Sequence, residues 1–116
     1  MSEIMSEYIP DKWLIVKLTD TNKNVSHYRV FACWYGGYAG SDSWKMNSGI
    51  TKVTENDSHF FFEGTSGSVY VCHKDAYGAN GYGSSVLSRL IKNGIKDNLL
   101  IAPMGEDVNP MELDYS

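Results

Sequence analysis

The chain has 116 residues, of which 42% are hydrophobic, 13% aromatic and 21% charged, and this composition is typical of one globular domain and excludes a disordered chain. No apolar run approaches the roughly 20 residues of a membrane span, and the acidic opening MSEIMSEYIP lacks the apolar stretch of a signal peptide. The formal net charge is −4, which alone excludes a strongly basic nucleic-acid binder.

Five strand signals follow one another in the first two thirds of the chain, and turn residues separate them every eight to twelve positions. Such spacing is typical of an antiparallel meander. The second strand signal is apolar on both faces, which predicts a central strand that is covered on both sides. The third is interrupted by Asn47–Gly49, where a glycine indicates a bulge or a sharp bend. The five signals lie at residues 12–18, 27–35, 44–54, 59–63 and 68–73.

One amphipathic helix is predicted at about residues 85–93. Ser84 or Ser85 can cap its first turn, and Gly94 follows its last turn. A short extended segment at 98–103 completes the domain. The order of elements predicts an α+β fold, in which one C-terminal helix packs on one face of a twisted antiparallel sheet of about five strands. The apolar stripe of the helix consists of Val86, Leu87, Leu90 and Ile91.

The charges divide the chain into three parts. All ten Lys and Arg lie within residues 12–103, where they face seven acids, so this body has a net charge of +3. Residues 1–11 and 105–116 carry acids and no Lys or Arg. We therefore predict an acidic N-terminal segment at 1–11, a single domain at 12–103 and a flexible acidic tail at 104–116, which keeps the protein dispersed or docks on a basic partner.

The residues that could carry catalysis or hold a metal do not form a known pattern. Cys72 and His73 are neighbours in a strand, where their side chains point to opposite faces and cannot form a nucleophile–base pair. Cys33 is 39 residues away from Cys72, and both cysteines lie in apolar contexts that predict buried free thiols in a reducing cytoplasm. The three histidines and two cysteines lack the short spacing of a zinc site. We predict no catalytic residue, no metal and no cofactor.

A glycine-rich stretch, Tyr77–Ser85, follows the fifth strand signal and opens the helix. Free backbone N–H groups at a helix start favour anions, so Gly83, Ser84 and Ser85 are candidates for binding a phosphate. The glycine spacing matches neither a dinucleotide fingerprint nor a Walker loop. The alternative is that these glycines only allow the chain to reverse its direction.

Four aromatic residues lie in or beside the glycine-rich loops, and we expect them to form an exposed patch. Tyr and Trp are typical anchors of protein interfaces, and they also stack on the bases of single-stranded nucleic acid. Phe61 lies between two phenylalanines and must face away from both, which indicates a sheet covered on both sides or an interface. The four candidate interface residues are Tyr38, Trp44, Tyr77 and Tyr82.

Two segments, DSWKMNSGI (residues 42–50) and SGSVYVCHKDAYG (residues 66–78), resemble small uncharacterised proteins encoded by phages, such as tailed phages that infect cyanobacteria. The resemblance covers the middle of the chain and supplies no catalytic residue. It implies an accessory protein that acts in the cytoplasm of an infected bacterium.

The predicted function is that of a small cytoplasmic, non-enzymatic binding module, which acts through protein–protein contacts or self-association and does not enter a membrane. The alternative is a protein that binds nucleic acid or a nucleotide phosphate through the glycine-rich loop and the exposed aromatic residues.

Overall fold

A computed structural model describes residues 7–36 and 40–115. In this part of the chain the fold is α+β, with mostly antiparallel strands and one α-helix, as predicted. Two short 3-10 turns lie at Lys74–Ala76 and Pro110–Glu112. The main elements are β1 (Glu7–Tyr8), β2 (Lys12–Asp20), β3 (Val25–Trp34), β4 (Ser43–Met46), β5 (Ile50–Glu55), β6 (His59–Gly64), β7 (Val69–His73), α1 (Gly81–Lys96) and β8 (Leu99–Pro103).

The described strands form two sheets of four, whereas the sequence predicted about five strands in one sheet. The central sheet has the order β4-β3-β2-β8, and all its pairings are antiparallel. The outer sheet has the order β1-β7-β6-β5, and its β1–β7 pairing is parallel. Strand periodicity identifies which residues share a face, but it does not identify the partner strand, so the division into two sheets was not predicted.

The chain crosses from one sheet to the other at Asn47–Gly49. The backbone N–H of Asn47 donates to Val30 O at 3.0 Å, and the Asn47 side-chain oxygen accepts from Val30 N at 2.9 Å, so Asn47 closes the ladder beside β4. Gly49 then takes a φ of 130°, a conformation that favours glycine. The bend predicted within residues 44–54 therefore separates two strands that belong to different sheets.

The molecule has three layers, in which the central sheet lies between α1 and the outer sheet. Alternate residues of β2 point to opposite sides: Leu14 and Val16 contact the helix layer, and Trp13 and Ile15 contact the outer sheet. The residues of β3 alternate in the same way. The prediction that β3 is covered on both faces is confirmed for Val30–Cys33, whereas residues 25–27 are exposed.

The layer between the two sheets is rich in aromatic rings. Trp13 is 1% exposed, and its ring lies 5.3 Å from that of Phe62 and 4.8 Å from that of Tyr77. Its indole N–H donates to His73 O at 2.7 Å, which satisfies the polar atom of the buried ring. The same layer holds Tyr70, which is almost fully buried. These rings form the larger of the two cores.

The helix is longer than predicted and starts earlier. It begins at Gly81 because the Asn80 side-chain oxygen accepts from Gly83 N at 2.6 Å. Asn80 is therefore the N-cap, and Ser84 and Ser85 are the fourth and fifth residues of the helix. Gly94 lies inside the helix, which continues to Lys96. None of the helices in the described residues is long and apolar enough to cross a membrane.

The segment predicted as a flexible tail packs back onto the domain through a few apolar residues, while its acidic residues stay exposed. Pro110 is buried, and Leu113 and Tyr115 contact the core between the sheets. The Tyr115 hydroxyl donates to Pro110 O at 2.7 Å, and its ring lies 5.7 Å from that of Tyr28. The apolar residues interspersed among the acids account for this packing, which the charge pattern alone did not indicate.

Candidate binding groove

A groove of about 290 Å³ runs between the helix and the edge strand β4, and we call it the α1–β4 groove. It is open to solvent, and its wall combines aromatic, aliphatic and polar side chains. The described residues that line it are Trp44, Tyr82, Val86, Arg89, Leu90 and Asn93.

Trp44 forms the wall on the side of the sheet. It lies opposite Cys33 in the β3–β4 ladder, so its side chain points to the helix side of the central sheet. Its ring stacks on the buried ring of Phe31, with the centroids 5.6 Å apart and an angle of 22° between the planes. Because Phe31 is buried, this contact holds the indole in place while 37% of Trp44 stays exposed.

The other wall is one stripe of α1. Tyr82, Val86, Arg89 and Asn93 are spaced by four, three and four residues, which places them on one face of a helix. Val86 is buried, and Tyr82 is 40% exposed. The Arg89 side chain forms no hydrogen bond or ion pair with the residues that the structure describes. The groove therefore presents two exposed aromatic rings and one cation without an acidic partner.

The outer edge of β4 borders the groove and pairs with no other strand in the described residues. Asn47 and Val30 form a hydrogen-bonded pair in the β3–β4 ladder. Because hydrogen-bonded and non-bonded pairs alternate in an antiparallel ladder, Lys45 points its backbone groups inward to β3. Trp44 and Met46 therefore point their backbone N–H and C=O groups outward.

The structure brings together two of the four predicted interface residues. Trp44 and Tyr82 face each other across the groove. Tyr77 lies elsewhere: its hydroxyl accepts from Ile15 N at 3.1 Å and donates to Met104 O at 2.8 Å. Burial raises the pKa of Tyr77, although the hydrogen bond from Ile15 opposes the shift. Tyr77 is thus a structural residue between the layers, and the prediction for Tyr38 lies outside the described residues.

The groove also contains residues that the sequence analysis did not select. Arg89 and Asn93 were not among the predicted site residues, and Val86 and Leu90 were predicted to belong to the apolar stripe of the helix. Helical spacing places all four on the same side of the helix as Tyr82, but only the position of β4 shows that this side forms one wall of a groove.

The predicted anion site is largely occupied by the helix cap. Gly83 N donates to the Asn80 side chain, and Ser84 N donates to Asn80 O at 2.8 Å. Gly83 is also buried so closely against Cys33 that an added Cβ would lie 2.3 Å from the Cys33 sulfur. Ser85 is the fifth residue of the helix, so its N–H belongs to the helical ladder of i to i−4 hydrogen bonds, although its side chain is exposed. None of the three candidate N–H groups is therefore free to bind a ligand.

The cysteines lie on opposite sides of the central sheet. Cys33 faces the helix and Cys72 lies between the two sheets, and both are free and buried, as predicted. Burial raises the pKa of both thiols, well above the usual value for Cys72, which opposes thiolate formation. Neither sulfur lines the α1–β4 groove.

Two of the three histidines are neighbours on the outer sheet. His59 and His73 pair across β6 and β7, with ring centroids 4.8 Å apart. His27 lies in β3 of the central sheet, where burial and then the Arg29 charge lower its pKa. Within residues 7–36 and 40–115, no group of three or more His, Cys, Asp or Glu side chains is placed to hold a metal ion.

Comparison of the chain with protein-family models, with curated proteins and with solved structures gave no match. The chemistry of the groove therefore has to be inferred from its own residues. Exposed Trp, Tyr and Arg side chains around an apolar floor are the features of a surface that binds another molecule.

Proposed function

We propose that this protein is a small non-enzymatic binding module, which holds a protein partner in the α1–β4 groove. The observation that carries the proposal is the pair of exposed rings, Trp44 and Tyr82, on opposite walls of one groove. Trp, Tyr and Arg contribute most of the binding energy in protein interfaces, and this groove presents all three.

The side chains of the groove support binding and do not suggest catalysis. Its described lining contains no Cys, His, Ser, Asp or Glu, which are the side chains that most often act as nucleophile or general base. The aromatic wall is held by the buried ring of Phe31, and the helix wall by the Asn80 cap. A rigid groove of this kind loses little conformational entropy when a partner binds.

The place of action that we propose is the cytoplasm of an infected bacterium. The resemblance to phage-encoded proteins supports this proposal, and so do the two free thiols, which suit a reducing compartment. The protein partner in the groove can also be a second copy of this chain, in which case the protein self-associates.

The second candidate function is binding of single-stranded nucleic acid or a nucleotide phosphate. Trp44 and Tyr82 can stack on bases, and Arg89 can pair with a phosphate. The bonded N–H groups of Gly83 and Ser84 weaken this alternative, because the glycine-rich loop then contributes less to phosphate binding.

The test is the double variant Trp44→Ala/Tyr82→Ala, with Tyr35→Ala as the matched control. Tyr35 is also an exposed tyrosine, but it does not line the groove. Wild-type protein and both variants are coupled to beads, and proteins captured from an infected-cell extract are quantified by mass spectrometry. We expect one set of partners to bind wild type and Tyr35→Ala equally and to be lost from the double variant, while circular dichroism shows an unchanged fold.

Equal capture by the double variant would show that the groove is not the binding site. Sedimentation of the purified proteins tests self-association, which should also be lost in the double variant. Fluorescence anisotropy with single-stranded DNA and RNA oligonucleotides at low salt tests the alternative function, and groove-dependent binding there would favour it.

A further inference from the structure

We infer that the partner enters the α1–β4 groove as an extended acidic peptide segment, which adds a fifth strand to the central sheet along β4 and places a carboxylate against Arg89. This inference rests on the proposed function and specifies its binding mode. Three independent features support it: the free edge of β4, the direction of its side chains and the charge of the groove.

The first feature is the strand edge itself. Trp44 and Met46 direct their backbone N–H and C=O groups away from β3, and no strand of the described chain accepts them. An exposed edge of this kind is a template for an added strand, which gains main-chain hydrogen bonds without regard to its sequence. The edge is short, since β4 has four residues, so side-chain contacts have to supply the specificity.

The second feature is the direction of the side chains. A residue of the added strand that lies opposite Trp44 points to the same side of the sheet as Trp44, which is the groove side. Its neighbours two positions away also point into the groove, because strand side chains alternate with a period of two. An extended segment therefore presents one face to the apolar walls formed by Tyr82, Val86 and Leu90.

The third feature is charge. Arg89 is the single cation in the described lining, which contains no acid, although the whole chain has a net charge of −4. The acids of the ion pairs Lys74–Glu55 and Lys52–Glu63 belong to the outer sheet. A carboxylate from the partner can bind Arg89 through two parallel hydrogen bonds, and the Asn93 amide lies one turn further along the helix.

The charge also argues against a second copy as the occupant. A two-fold interface places the same patch on both sides, so the Arg89 residues of both copies would enter a shared interface in which the groove supplies no acid. A separate acidic segment instead gives Arg89 a carboxylate to pair with.

The probe is a synthetic library of eight-residue peptides, in which Thr alternates with positions randomised among Leu, Phe, Glu, Gln and Lys. The library is selected on immobilised wild-type protein and sequenced. We expect enrichment of peptides that combine an apolar residue and Glu on the randomised face, with Glu favoured over Gln by about fivefold, the size of an accessible ion pair. Arg89→Gln should abolish this preference and Arg89→Glu should transfer it to Lys.

Lys92→Gln is the matched control, because Lys92 is an exposed cation of the same helix outside the groove. It should keep the preference for Glu. Strand addition is measured by amide hydrogen exchange with a selected peptide: the amides of Trp44 and Met46 should slow at least tenfold, while that of Lys45, which already points to β3, should change little.

The outcomes separate this inference from the proposed function. Peptides that bind wild type but not Trp44→Ala/Tyr82→Ala, without any preference for Glu, would overturn the acidic segment and leave the groove as the binding site. Slow exchange confined to α1 would overturn strand addition. Binding that is equally strong to the double variant would overturn both proposals. If a twelve-nucleotide oligothymidine displaces the peptides from wild type but not from Arg89→Gln, nucleic acid is favoured over an acidic peptide as the occupant.

Discussion

The two faces of the central sheet are covered in different ways. The face toward the outer sheet is closed by large rings that contact one another, among them Trp13, Phe62 and Tyr70. The face toward α1 is covered by aliphatic residues of a single helix, and part of it stays open as the α1–β4 groove. The groove that we propose as the binding site therefore lies where the covering layer is narrower than the sheet.

The difference in width has a simple geometric origin. A helix with its side chains is about 10–12 Å wide, whereas four strands at about 4.8 Å spacing span roughly 14 Å between their outer axes alone. The helix lies toward β8, where Gly94 approaches so closely that an added Cβ would be 2.6 Å from Leu99 O. Because α1 is drawn to that side, β4 is left partly uncovered.

The largest effect should come from the layer between the sheets. Trp13→Ala should lower the free energy of unfolding by about 3–5 kcal/mol, because it leaves a cavity among rings that do not collapse easily. Leu87→Ala, in the helix layer, should lower it by less, at about 2–3 kcal/mol. Urea denaturation followed by fluorescence or circular dichroism measures both. A larger loss for Leu87→Ala would reverse the ranking of the two cores.

The next effect concerns the contact between the helix start and the sheet. Gly83→Ala should destabilise the protein by about 1–3 kcal/mol, because its Cβ would overlap the Cys33 sulfur. Gly81→Ala is the control, since no atom lies within 4 Å of its added Cβ, and it should be neutral or stabilising by up to about 1 kcal/mol. Thermal unfolding distinguishes them, and equal melting temperatures would show that α1 does not approach Cys33 as described.

A smaller effect distinguishes the observed helix cap from the predicted one. Asn80→Ala removes the side-chain oxygen that accepts from Gly83 N and should lower stability by about 1 kcal/mol. Ser85→Ala should change it by less than about 0.5 kcal/mol, because Ser85 lies inside the helix, past the cap, and is exposed. The reverse order in denaturant titrations would place the helix start at the serines.

An effect that is absent at neutral pH comes from the hydroxyl of Tyr70. Burial raises the pKa of Tyr70 to about 12, above its value of 10.0 in the unfolded chain. The folded state therefore keeps a proton that the unfolded state releases, so the contribution is fully present below about pH 10 and is lost as the pH rises toward 12. Tyr70→Phe should flatten the fall in stability between about pH 10 and 12 in urea titrations. An unchanged slope would assign the fall to other groups.

Local patterns predicted much of the fold. The alternation in β2 and β3 identified residues for both faces of a central strand, and the apolar stripe of α1 included Val86 and Leu87, which are buried. The sequence indicated a bend at Asn47–Gly49, but it did not indicate that the strands on either side, β4 and β5, belong to different sheets. Of the groove, the sequence indicated Trp44 and Tyr82 as exposed rings but also selected Tyr77, whose hydroxyl is bonded to two distant backbone groups. Contacts that far apart in the chain leave no local signal.

By itself, the amino-acid sequence determined the α+β class, the approximate positions of most strands and the single helix, and the separation of Cys33 and Cys72 into buried sites. These properties depend on the periodicity of side chains along one segment, which is a local quantity. Tertiary structure decided the two sheets, the cap at Asn80 and the packing of the acidic C-terminal segment. It also decided the α1–β4 groove, because a groove is the space left when two elements distant in the chain are brought side by side, and its shape depends on how closely Gly94 lets the helix approach β8.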